Sequence, residues 1–180
     1  YAWIVFDQTN KAESHHVYEN LKIRYPATPS ANWQKLIRFI EFLAEAAKAY
    51  NKIYSPQNII NEREKKVVQQ LMFQAATSSV LPLVLAVYSK VHDREDRVQI
   101  LGLIEKLNFR YYGCGIASRA DTGNGFLFNL AHSFFNSSKN LHEEVENLKS
   151  DLTSFISREC SDERFIKSLS LTEEDSESED

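Results

Sequence analysis

The stretch from Ser79 to Gly125 constrains the fold most. It contains all five glycines of the chain and its most apolar segment. From Val80 to Tyr88 almost every residue is apolar. A helix apolar on all sides is a buried one. Nine residues cannot cross a bilayer, which needs about 20, so the segment reads as a core helix. Pro82 is expected to open it, because a first-turn residue has no intrahelical partner for its N–H. Asp93 then suits an N-cap, and Glu95 and Asp96 suit the first turn of the next helix, where the dipole favours carboxylates. Ile100, Leu103, Ile104, Leu107 and Tyr111 form one stripe at helical spacing, which predicts a helix from about Arg94 to Tyr112. Two such helices with a short link predict an antiparallel hairpin.

Gly113, Gly115, Gly123 and Gly125 end that helix and delimit a loop. A phosphate-cradling loop needs a strand before it, and here a helix stands there. A mobile interhelical loop is the expectation.

Upstream, Tyr1 to Phe6 is too short for periodicity to choose between strand and helix. Glu13 to Tyr25 reads as a helix with Val17, Tyr18, Leu21 and Tyr25 on one edge. His15 and His16 point about 100° apart on it, which suits solvated side chains. Pro26 and Pro29 break the chain. From Ser30, the residues Trp33, Leu36, Ile37, Ile40, Leu43, Ala44, Ala47 and Tyr50 hold one helix face, and Pro56 closes the helix. Glu41 and Glu45 beside Arg38 and Lys48 suit exposed ion pairs better than acid–base chemistry. Asn58 to Ala76 reads as the next helix, with Ile60, Val67, Leu71 and Ala75 buried and Glu62 to Lys66 solvated.

Downstream, Phe126, Leu127, Leu130 and Phe134 predict a short aromatic helix. His132 within it reads as a hydrogen-bonded histidine, with no nucleophile at a motif spacing. Leu141, Val145, Leu148, Leu152 and Phe155 alternate by four and three, and this two-heptad seam suits a packed bundle helix. A last short helix carries Phe165, Ile166 and Leu169. Together these elements define an all-α chain, a multi-helix bundle of seven to eight helices built from antiparallel hairpins over residues 1–170. Residues 171–180 are expected to be a disordered acidic tail.

Residues 173–180 hold six acids, and without them the chain has 21 basic against 19 acidic residues. A near-neutral body excludes a global nucleic-acid footprint and leaves room for a local one. Arg63, Lys65 and Lys66 form the densest basic cluster. Arg110 and Arg119 flank the glycine-rich loop. These five are the candidate phosphate contacts; the alternative for Arg110 is capping a helix C-terminus. Cys114 and Cys160 lack metal-ligand spacing and suit a reducing cytoplasm. The pattern leads to no expectation of a signal peptide or membrane span within these residues. A start in mid-pattern, without methionine, is expected of a piece of a longer polypeptide. No phosphate loop, metal cluster or nucleophile elbow is present, so no catalytic residue, metal or cofactor is assigned.

Several elements recur in a fixed order. Val17-Tyr18-Glu19-Asn20-Leu21-Lys22 comes first, then Ala47-x-x-Tyr50-x-x-Ile53-Tyr54, then Leu81-Pro82-Leu83-Val84-Leu85-Ala86. Phe109-Arg110, Phe126-x-x-x-Leu130-Ala131 and Asp162-x-x-Phe165 follow. In this order the chain, from about residue 13 to 170, resembles the helical middle region of GmrSD-type, modification-dependent restriction endonucleases. The resemblance implies a cytoplasmic phage-defence protein that cleaves modified DNA. In such proteins a nucleotide-dependent part precedes this region and an HNH nuclease part follows it. This chain has neither the Asp-Gly-Gln-Gln-Arg nor the nuclease motif of those parts. The implied role is therefore non-catalytic: to link or position the two parts, with DNA and those parts as partners. The alternative is a helical protein–protein interaction module with no nucleic-acid role.

Overall fold

The computed structural model describes residues 17–26, 33–74, 76–119 and 121–176. The chain is all-α, with no strand among these residues. Eight α-helices follow one another among the described residues: α1 Val17–Arg24, α2 Trp33–Tyr54, α3 Glu62–Phe73, α4 Thr77–Lys90, α5 Arg94–Leu107, α6 Asn124–Asn136, α7 Leu141–Glu159 and α8 Asp162–Ser176. A 3₁₀ turn, Pro56–Asn58, links α2 to α3, and a π-helical turn, Asn108–Gly113, extends α5. The sequence elements Tyr1 to Phe6 and His15-His16, and Pro29, Ala75 and residues 177–180, lie outside the described residues.

The core is built around α4. Its residues Val80 and Pro82 to Val87 are all buried, as an all-round apolar helix requires. Helix α4 starts at Thr77, so Pro82 lies inside it instead of opening it. The proline removes only the bond to the carbonyl of Ser78, an exposed residue whose oxygen water can satisfy. Thr77 Oγ1 donates instead to the Gln74 carbonyl (3.1 Å), closing the end of α3.

Consecutive helices reverse direction. Tyr88, late in α4, lies over Arg97, early in α5 (5.6 Å). Asp93 caps α5 by accepting from the Asp96 N–H (2.9 Å), as its position in the sequence predicts. The next helix returns alongside α4. Lys90, in the last turn of α4, donates to the Phe134 and Ser137 carbonyls at the end of α6 and to Glu144 of α7. One ammonium thereby satisfies two carbonyls that a helix end leaves without N–H partners. Burial pushes the Glu144 carboxyl up, but the Lys90 bond and charge outweigh it, and the net shift is down. Helices α3 and α5 also run side by side in one direction, tied by Arg63–Glu95, Arg97–Glu64 and Gln74–Glu105.

The loop after α5 is anchored. Tyr112 Oη donates to the Thr122 carbonyl (2.9 Å) and Ala117 N–H to the Tyr111 carbonyl (2.7 Å). Gly123 sits at φ +85°, and a Cβ there would lie 3.1 Å from the Tyr111 ring. Both the left-handed backbone and the close approach require glycine. Tyr111 itself packs edge-on to Phe155 of α7 (5.3 Å). In α7, Val145, Leu148, Leu152 and Phe155 of the two-heptad seam are buried, while its first member, Leu141, at the start of the helix, is exposed.

The π-turn begins at Asn108, which is 0% exposed while neither side-chain amide atom has a protein hydrogen-bond partner. Desolvating such an amide costs about 1–3 kcal/mol. Asn108→Leu removes the polar atoms at similar volume. It is expected to raise Tm by roughly 2–4 °C per kcal/mol recovered. A fall in Tm in calorimetry would show that the amide is satisfied after all.

Candidate functional site

Helix α2 is the feature that the bundle does not absorb. Its 22 residues present three faces. Phe39, Phe42, Ala46, Ala49 and Ile53 turn toward the body; Ala49 and Ile53 are buried. Tyr25 packs on Phe39 (4.7 Å) and Phe135 of α6 on Phe42 (4.9 Å). Gln34, Arg38, Glu41, Glu45, Lys48 and Lys52 form the polar face. The exposed Lys48–Glu45 pair (2.7 Å) is the i, i+3 ion pair the sequence suggests.

The third face is apolar and, among the described residues, mostly exposed. Trp33, Leu36, Ile40, Leu43, Ala47, Tyr50 and Tyr54 alternate by three and four, the a/d spacing of a helix-pairing seam. Trp33 is 65% exposed, Ile40 55% and Leu43 39%. Ile37 and Ala44, both exposed, widen the strip. Tyr50 and Tyr54 stack at 4.3 Å. The neighbouring Tyr50 hydroxyl, then burial, pushes the Tyr54 hydroxyl up. The sequence read this face as the helix's apolar side, and the bundle buries its neighbour face instead.

Helix α3 departs from the sequence reading in two places. It begins at Glu62 with Asn61 as N-cap, accepting from the Glu64 N–H (2.9 Å). Ile60 precedes the cap and is 95% exposed, while Ile59 takes the buried place. Glu64, expected to be solvated, is 4% exposed. It shares the i, i+4, i+7 stripe of Val68 and Leu71, which carries it inward. Arg97 of α5 meets it with Nε–Oε1 at 2.8 Å and Nη2–Oε2 at 3.0 Å. Burial pushes the Glu64 carboxyl up, but bonds from Arg97 and Tyr88 and the charges of Arg97 and Lys52 overcome this and leave it lowered. Burial, then the Glu64 charge, holds the Tyr88 hydroxyl protonated far above its ordinary value. No sequence motif marks this trio, which long-range packing assembles.

The five predicted basic residues do not form one patch. Arg63 reaches Glu95 (3.2 Å) and Lys65 reaches Glu62 (3.3 Å); Lys66 is exposed and makes no ion pair among the described residues. Arg119 lies by Asp121 (3.3 Å), both exposed. Arg110 pairs with Asp162 at the start of α8, lies over the Phe165 ring (4.8 Å) and donates to the Cys160 carbonyl (3.4 Å). It therefore closes the C-terminus of α7 and ties α8 down. The Arg110 hydrogen bond, then its charge, lowers the Asp162 carboxyl. Arg63 stands by the first turn of α5 and Arg110 beyond its last. The 14-residue helix thus separates them by about 20 Å.

Among the described residues no three His, Cys, Asp or Glu side chains are placed to hold a metal. No described helix is long and apolar enough to cross a membrane. Cys114 and Cys160 are free thiols, and burial pushes both upward, away from the reactive thiolate. His132 is half-buried and bonded to Asn136 (3.2 Å).

The fold and its surface define a class: an all-α bundle that, among the described residues, presents a seam-patterned helix face with no partner helix on it. No family model, no curated protein and no solved structure matches the chain.

Proposed function

We propose that the chain is a non-catalytic assembly domain that pairs with a second copy of itself through the apolar face of α2. The exposed seam of α2 carries this reading. Aromatic side chains present about 150–250 Å² each. At the exposures of Trp33, Tyr50 and Tyr54, with the aliphatic residues between them, the face offers on the order of 700 Å². A standard interface uses about 800 Å² per partner. The seam is flanked by Ile37, Ala44 and Asn51, so no like charges oppose one another when two copies meet. The resemblance to GmrSD-type restriction proteins supplies the context: such a domain would hold a nucleotide-dependent part and a nuclease part in position. DNA contact is the lesser part of this reading, because Arg110 is engaged by Asp162 and the other candidate cations are dispersed.

Sedimentation equilibrium tests the pairing. The wild-type chain is expected to dimerise with a Kd of about 10 µM or tighter. Ile40→Glu with Leu43→Glu should give a monomer of unchanged helical content. A wild-type chain that stays monomeric at 100-fold that concentration would overturn the reading and assign the face to another occupant.

A further inference from the structure

We propose that the cleft between the C-terminal half of α2, the 3₁₀ turn and the start of α5 binds a small phosphate-bearing ligand. The cleft has two adjoining lobes. The smaller, of about 170 Å³, is lined by Lys52, Asn58, Glu64, Arg94 and Arg97. Lys52, Asn58 and Arg97 also border the larger lobe, of about 550 Å³, whose walls include Ala49, Tyr88, Val91 and the Glu45–Lys48 ion pair, which adds no net charge. Small-ligand sites commonly occupy about 300–1,000 Å³ and combine apolar walls with a few convergent polar groups.

The charge of the smaller lobe points to the ligand. Three cations, Lys52, Arg94 and Arg97, face one carboxylate, Glu64, leaving a net charge of +2. Arg97 is engaged by Glu64 through two bonds and by the Val91 and His92 carbonyls through one each. Lys52 and Arg94 make no hydrogen bond or ion pair among the described residues. Two uncompensated cations at one concavity repel each other and attract a counter-ion. A phosphate monoester carries about −1.5 to −2 at neutral pH, which matches this excess. Arg94 supplies a planar fork for phosphate oxygens and Lys52 a mobile point charge. Ala49 and Val91 give the larger lobe an apolar wall for the organic body.

The site is independent of the α2 seam. Lys52 lies on the polar face of that helix, so failure of one proposal leaves the other standing. Titration calorimetry of the whole chain with phenyl phosphate tests it, with inorganic phosphate and succinate as comparisons. Phenyl phosphate is expected to bind, and both comparison ligands to bind about tenfold more weakly or less. Lys52→Met and Arg94→Met should each weaken phenyl phosphate at least tenfold, the usual loss for one charge-assisted bond. Lys66→Met should leave it unchanged, and circular dichroism should show all three variants folded. Absence of binding at 10 mM, equal affinity for succinate, or affinity unmoved by both cleft substitutions would each overturn the assignment.

Discussion

Arg97→Ala is expected to destabilise the fold by about 3–5 kcal/mol, the usual loss when one partner of a buried ion pair is removed. The substitution removes two bonds to Glu64 and two to the carbonyls that join α4 to α5. It leaves the Glu64 carboxylate buried with no strong cation in contact. At this chain length a loss of that size lowers Tm by roughly 6–20 °C. The pH dependence has a definite sign. The folded carboxyl of Glu64 is lowered below its ordinary value of 4.5. The pair's contribution is complete above that value and fades as pH falls through the lower, folded one. The gap between wild type and Arg97→Ala should therefore be constant near neutrality and narrow in acid. Arg97→Met combined with Glu64→Met should recover most of the loss, because the pair as a whole contributes little beyond an apolar replacement. A single-variant loss under about 1 kcal/mol in denaturant titration would show that the pair is effectively solvated.

Local signals made much of this fold legible. Asp93 announced its cap because a short polar side chain ahead of a periodic stripe has one dominant local use. The apolar run of α4 announced burial because no orientation of it could satisfy water. Errors arose where the chain offered two equivalent stripes. In α3 the stripe through Val67 and Leu71 and the one through Val68 and Leu71 differ by one residue, yet the second carries Glu64 inward. Only the partner on α5, 33 residues away, makes that orientation tolerable. Pro82 misled for a related reason: the rule about first turns assumes that a missing bond matters everywhere equally, and on an exposed carbonyl it does not. The candidate site was half visible. Its residues were readable as an apolar face of α2, but their exposure was not. The seams of α2 and α7 have the same alternation of threes and fours, and burial depends on what lies opposite them.

That difference yields the other large effect. Leu83→Ala, in the centre of α4, is expected to cost about 2–5 kcal/mol. Leu83 is wholly buried and its neighbours Val80, Val84 and Val87 are held by the rest of the core, so the emptied space cannot collapse. The lost transfer free energy and the remaining cavity then add. Leu43→Ala deletes the same atoms from a side chain that is 39% exposed. In a monomeric sample it should cost under about 1 kcal/mol, since little water-excluded contact is lost. In a paired sample the same deletion weakens the dimer, and thermal stability becomes concentration-dependent. Chemical denaturation at two protein concentrations separates these cases. Leu83→Ala should shift the midpoint equally at both. Leu43→Ala should shift it mainly at the higher one, where wild-type chains are paired. Equal shifts for Leu43→Ala at both concentrations would mean that its side chain is covered within a single chain, and pairing through α2 would then be excluded. The two leucines thus form an internal comparison: the same chemical change, on a helix buried on all sides and on one with an exposed apolar face, reports whether each leucine is covered by its own chain or by another.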